Sequence, residues 1–362
     1  MHARQIIRTF SCQSGWSFSR RQFAAILSKR YLPPRAMSCQ TQANLQPKSL
    51  DADDKESASG KEKKHRSFVE VYDLKSVNLR LTEDSTPYCA TVIHPGLPPE
   101  AISRNGHPSL PSILKAASAC RMYAMHMPAN DSGETFFQYD QITSHCFTFI
   151  SSSLVNISPH MYTSSVPKWP LEIKLQGGHM GRTSLSTVSS MTSPADPERR
   201  ELMRQINQVV LVDKETRRPI PIEDKWRHLY QSQCVRGEPL IIKRQDVPES
   251  GPLSVYQVKI AWSDTDNYNH TNFASYPRFA VDAVHDAVRL GKLEGHLTQA
   301  EISSGISQVK TAYLGECVEG DVLKIQVWSV EGCDRTVLCS MEKDGQVINQ
   351  VTLTFHGPGS AL

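Results

Sequence analysis

Asp264, Asp266, Tyr268, His270 and Asn272 occupy every second position of one short run, and Phe273 closes it. A carboxylate in such a run can attack a carbonyl carbon or draw a proton from water. A histidine beside it can orient the reacting group or hydrogen-bond the backbone. Glu316, in a later strand-like segment, is a second acid that can hold water or His270. Asp264 suits a capping role at the turn, and Asn272 suits a turn-forming one. Asp266 carries the expected chemistry, and the electrophile that fits it is a polarised carbonyl.

The elements around this run are legible. Residues 255–262 alternate with the period of a strand that has one buried face. Phe273, Tyr276, Phe279, Ala280, Ala283, Val284, Ala287 and Val288 follow at three- and four-residue steps, one stripe of a helix. Ser275 is the expected N-cap, and Gly291 the C-terminal stop. The polar run thus lies at a helix entrance, where backbone N–H groups lack intrahelical partners and carry the positive end of the dipole. Those groups can hold a carbonyl oxygen as it becomes anionic. Strand-like segments follow near 302–314, 321–330, 335–343 and 346–355, with turns at Gly320, Gly332 and Gly345.

An earlier stretch repeats this order. Residues 77–81 read as a strand and 109–127 as a helix. Residues 147–150, 171–175, 182–188 and 206–212 read as later strands, and 218–252, with five prolines, as a connection. One strand, one long helix, then four antiparallel strands is an α+β unit, a curved sheet wrapped around its own helix. Two such units side by side can join edge strands and so cover them. The expected divisions are 67–217, 218–252 and 253–358.

The remainder of the chain reads as an address. Residues 1–50 hold eight Lys and Arg and no Asp or Glu. Over 1–40 arginines interleave with Ile, Phe, Trp and Leu, as in a mitochondrial transit peptide. The expected location is the mitochondrial matrix, with a cytosolic form if translation starts at Met37. Residues 41–66 read as a linker. The rest of the chain is net acidic, which argues against nucleic-acid binding. No apolar run reaches the roughly 18 residues of a membrane span. The nine cysteines show no CxxC pair, and the histidines no ligand spacing, so neither a metal nor a cofactor is expected.

The second half resembles the hotdog-fold thioesterases. The pattern Asp264-x-Asp266-x-Tyr268-x-His270-x-Asn272 is similar to that of acyl-CoA thioesterases of the 4-hydroxybenzoyl-CoA type. The tandem layout and Trp262-Ser263-Asp264 look more like acyl-ACP thioesterases. Tyr313-Leu314-Gly315-Glu316-Cys317 with Gly320-Asp321 fits both. The resemblance is specific over about 255–355, and over 67–215 it rests on layout. It implies two hotdog domains, the first catalytically silent, and hydrolysis of fatty acyl-CoA or acyl-ACP to acid and thiol. It implies Asp266 as the catalytic carboxylate, with His270 and Glu316 assisting and Asp264, Tyr268, Asn272 and Phe273 shaping the site. Plant acyl-ACP thioesterases carry Asn where this chain has Tyr268, which favours the acyl-CoA type. Adjacent strand residues face opposite ways, so Glu316 and Cys317 cannot both enter one site. Rival readings are a hotdog hydratase of enoyl thioesters and a non-catalytic acyl-chain binder. A homodimer is compatible with the layout.

Overall fold

The computed structural model describes residues 73–74 and 77–360, apart from Asn267. The basic segment 1–40 and the linker 41–66 lie outside the described residues. The first half supplies β1 (Arg80–Leu81), β2 (Cys89–His94), α1 (Leu110–His126), α2 (Tyr139–Thr143), β3 (Cys146–Ile157), β4 (Leu171–Met180), β5 (Ser184–Thr192) and β6 (Met203–Asp213). A short helix α3 (Asp224–Tyr230) follows. The second half supplies β7 (Ser254–Lys259), α4 (Ser275–Arg289), α5 (Gln299–Ser303), β8 (Ile306–Tyr313), β9 (Val322–Ser329), β10 (Thr336–Lys343) and β11 (Gln346–Phe355).

All eleven strands form one antiparallel sheet in the order β1-β2-β4-β5-β6-β3-β8-β11-β10-β9-β7. Apart from β1, the order is a palindrome about the β3/β8 pair. Each half places its first strand outermost and the strand after its long helix at the centre. The seam runs in register from Ser152 opposite Ala312 to Asn156 opposite Gln308. This is the edge-to-edge joining expected from the sequence, and it removes two edges that would otherwise invite other chains.

Side-chain alternation explains which face each strand buries. On β8, Lys310 is exposed, whereas Val309 and Thr311 are about 1% exposed. On β11, Val351, Leu353 and Phe355 point the same way, toward the helices. Helix α4 lays Tyr276, Phe279, Ala280, Ala283, Val284 and Ala287 on that face, as the stripe predicts. Burying each large side chain there contributes about 1.5–3 kcal/mol. Helix α1 is capped by Ser109, whose hydroxyl accepts from the Ser112 N–H. It buries Leu110, Ile113, Leu114, Ala117, Cys120 and Ala124.

The structure corrects two expectations outside the site. The strand expected at 77–81 shrinks to the two-residue β1, and the strand ahead of α1 is β2. Pro87 and Pro95 bracket β2, while Ala90 and Val92 supply its inward face. The connection 218–252 contains α3, held because Trp226 and Tyr230 stack with Phe137 and the Trp226 indole donates to the Phe137 carbonyl (2.8 Å). Gly177 and Gly178 lie inside β4, where its pairing with β5 shifts register. A Cβ on Gly177 would sit 2.6 Å from the Phe137 ring, so only glycine fits beneath it.

Past α3, the connection crosses the face of the sheet opposite the helices. The Leu240 N–H donates to Gln208 Oε1 (3.0 Å), and Gln245 exchanges two hydrogen bonds with the Gln350 side chain (2.9 and 2.7 Å). It therefore touches both halves of the sheet.

Candidate active site

Residues 261–274 form a tight, internally bonded loop between β7 and α4. Asp264 is its anchor. One carboxylate oxygen accepts the Ala261 N–H (3.0 Å), and the other pairs with the Arg278 guanidinium from the first turns of α4. Its own carbonyl accepts from the Asn272 N–H (2.8 Å) and the Ser275 hydroxyl (3.2 Å). Asp264 is buried, and all of these contacts hold structure rather than face a ligand. Ser275 is the first helical residue and not the cap. The cap position is Ala274, and Asn272 just ahead of it accepts the Ala274 N–H on its side-chain oxygen (2.9 Å). An Asx turn of this kind competes well with a serine cap.

Asp266 bends the loop tip. Its Oδ1 accepts the N–H of Tyr268 (2.9 Å) and, at 3.4 Å, that of His270. Backbone bonds join Asp266 N to His270 O (2.8 Å) and Asn269 N to Asp266 O (2.9 Å). The turn needs a left-handed residue, and Asn269 supplies it at φ 61°. The second carboxylate oxygen of Asp266 accepts no hydrogen bond among the described residues. The half-buried His270 presents Nε2 to Glu316 Oε2 at 3.5 Å. Tyr268 is exposed and stands edge-on to Phe147 of β3, which also carries Arg217 on its ring. The Phe273 carbonyl accepts from the Tyr313 hydroxyl (3.1 Å), and the Phe273 N–H bonds to no described residue.

The loop thus brings together Asp266, His270 and Glu316, with an available amide at Phe273. Asp264 and Asn272 hold the frame. A cleft of about 490 Å³ opens between the starts of the two long helices, with Pro111 and Lys115 on one wall, Ser275 and Arg278 on the other, and Lys259 and Asp264 along its edge. Asp264 and Ala274 line it, and Asp266, at the loop tip between them, does not. Three cations and one acid give the cleft a positive bias. Among the described residues no group of three or more His, Cys, Asp or Glu is placed to hold a metal. No described helix is long and apolar enough to cross a membrane.

Cys317 is turned away from this set. Its carbonyl accepts the N–H (2.7 Å) and hydroxyl (3.0 Å) of Thr271, clamping the loop to the strand end, and its thiol is buried. Burial pushes that thiol up to about 12. At pH 8 only about one molecule in 10⁴ then carries the thiolate. Cys317→Ala should keep thioester turnover within about threefold. Iodoacetamide at pH 8 should label the exposed Cys333 well before Cys317, as read by peptide mass analysis.

No protein-family model and no curated protein sequence matches the chain. Solved structures do. A 12:0-ACP thioesterase from Umbellularia californica superposes with a TM-score of 0.55 at 15% identity, covering 74% of this chain and 97% of that one. An acyl-ACP thioesterase from Bacteroides thetaiotaomicron gives 0.51 at 14% identity over 74% and 98%. The fold is a double hotdog. Each hotdog half is an antiparallel sheet wrapped on its own helix, as the resemblance in the sequence implied.

Sequence reasoning passed over two features of the double hotdog. The first is the contact between Tyr268 and Phe147 of the other half, which no local pattern announces. The second is Arg121, a charge on the buried stripe of α1. Its i+4 relation to Ala117 was the available signal.

Proposed function

We propose that the chain hydrolyses acyl thioesters carried on CoA or on an acyl carrier protein. The observation that carries this reading is the Asp266 carboxylate. One oxygen is fixed by the loop and the other is open, and the Phe273 N–H, two residues ahead of α4, is unclaimed. In this reading the open oxygen takes a proton from water or attacks the thioester carbon. The Phe273 amide and the helix dipole receive the charge that develops on the carbonyl oxygen, a contribution of about 3–4 kcal/mol. His270, steadied by Glu316, orients the water or the thioester. Lys115, Lys259 and Arg278 suit the phosphates or acidic surface of the carrier.

The test is thiol release from acyl-CoA and acyl-ACP over a series of chain lengths, with the acid product identified by mass. Stoichiometric acid and thiol are expected. Conversion of an enoyl thioester to its hydroxyacyl form without thiol release would replace this reading with hydration. Tight binding with neither product would leave a carrier of acyl groups.

A further inference from the structure

The concave face of the first half is not the wall an alkyl chain would select. Thr187 (β5), Asn207 (β6), Ser153 (β3) and Thr311 (β8) lie side by side in one cross-strand row. Gln205 and Ser189 occupy the next row. All six are 3% exposed or less and share the face of Met203, Val155 and Val309, because Arg204 and Lys310 between them point to solvent. Gln205 Nε2 bonds to Ser153 (3.3 Å) and to Asn207 Oδ1 (3.2 Å), but Asn207 Nδ2 and Thr187 Oγ1 find no partner. On β11, Asn349 lies opposite Tyr313, fully buried, with both ends of its amide unpartnered. Each such group is destabilising if left so.

Arg121 of α1 is also buried, at 9% exposed. Its guanidinium reaches one hydroxyl, Ser118 Oγ at 3.4 Å, and lies 5.6 Å from the centre of the Phe273 ring in the site loop. Tyr313, which holds the Phe273 carbonyl, is beside it. No carboxylate among the described residues pairs with it. An arginine stays protonated at any ordinary pH, so this is a buried cation without a counter-ion, and a planar donor fork matched to a carboxylate. A buried charge of this kind is costly unless something completes it.

We propose that Arg121 receives a carboxylate at the far end of the acyl group, so that the substrates are short carboxyacyl thioesters rather than plain fatty acyl ones. This inference rests on the hydrolase reading above and deepens it. The guanidinium sits one side chain away from the reacting loop, which suits a short acyl group. A dodecyl chain would have to cover that cation with methylenes, while a carboxylate offers the acceptor it lacks. Arg121 acts on specificity and not on the reacting atoms.

The experiment compares glutaryl- and adipyl-CoA with pentanoyl-, hexanoyl- and dodecanoyl-CoA by thiol release. In parallel, calorimetric binding uses the non-hydrolysable thioether analogues of the glutaryl and pentanoyl compounds. The wild type should favour the carboxyacyl member of each length-matched pair by at least tenfold in kcat/KM. Arg121→Met should collapse that ratio by at least tenfold, and Arg121→Lys should restore part of it. The thioether pair should show the same preference without turnover. If no thioester is cleaved, the hydrolase reading fails while the binding preference still decides the role of Arg121. A wild-type preference for pentanoyl or dodecanoyl chains, or a ratio unmoved by Arg121→Met, overturns the proposal. The wild-type comparison stands even if the methionine variant does not fold.

Discussion

Asp266→Asn should lower kcat by about 10²- to 10⁴-fold on any thioester the chain cleaves, with KM little changed. The substitution isolates charge from structure. Asparagine keeps a side-chain oxygen where Oδ1 now accepts the Tyr268 and His270 amides, so the loop should retain its shape. What is lost is the open, charged oxygen. In free-energy terms the effect is about 3–5 kcal/mol of transition-state stabilisation. Circular dichroism and the melting temperature should match the wild type within about 2 °C, since no buried contact is removed. Turnover within fivefold of wild type would show that Asp266 only folds the loop, and another base would have to be found.

Val309→Asp should abolish cooperative folding of both halves together. Val309 on β8 faces Val155 on β3 across the seam, and each is 1% exposed. An aspartate there buries a carboxylate with no cation beside it, at a cost of several kcal/mol, a large part of the stability of an ordinary domain. Desolvation would raise that carboxylate's pKa in the folded state, so the folded form would bind the extra proton more tightly than the unfolded form. Stability of the variant should therefore fall as pH rises through the ordinary carboxylate range, and recover on mild acidification. Urea unfolding of the variant at pH 5 and pH 8 reads this directly. If only second-half signals weaken while the first half melts unchanged, the sheet is not one cooperative unit.

The second half was legible because its strands show one exposed face and its helix a clean apolar stripe. Val258, Ile260, Phe279, Ala283, Ile325 and Val327 fall where the periodicity puts them. The first half is harder for a physical reason. Strand β5 reads Ser-Leu-Ser-Thr-Val-Ser-Ser-Met-Thr and is buried on both faces, so its small polar residues give no alternation to find. Strand β4 continues through Gly177 and Gly178, because the Phe137 ring lies against the first and the Ser186 side chain against the second. Within the site, the Asp264 cap follows from local sequence, because the contact to Ala261 spans three residues. Its pairing with Arg278 needs the helix direction, and the approach of His270 to Glu316 needs two segments forty-six residues apart to meet. The unpaired guanidinium of Arg121 depends on what surrounds it in space, and residue types alone do not state that.

The palindromic strand order gives the molecule two helix entrances of the same kind, and only one is equipped. The loop ahead of α4 has Asp264, Asp266 and His270, whereas the segment ahead of α1 offers one exposed acid, Glu100, with His107 packed on the Tyr162 ring. On the hydrolase reading proposed above, each polypeptide should then process a single guest at a time, with linear occupancy and no communication between twin centres. On that reading the first half takes no part in the chemistry, so its interior walls can change, and the choice of guest drift, without disturbing the loop ahead of α4.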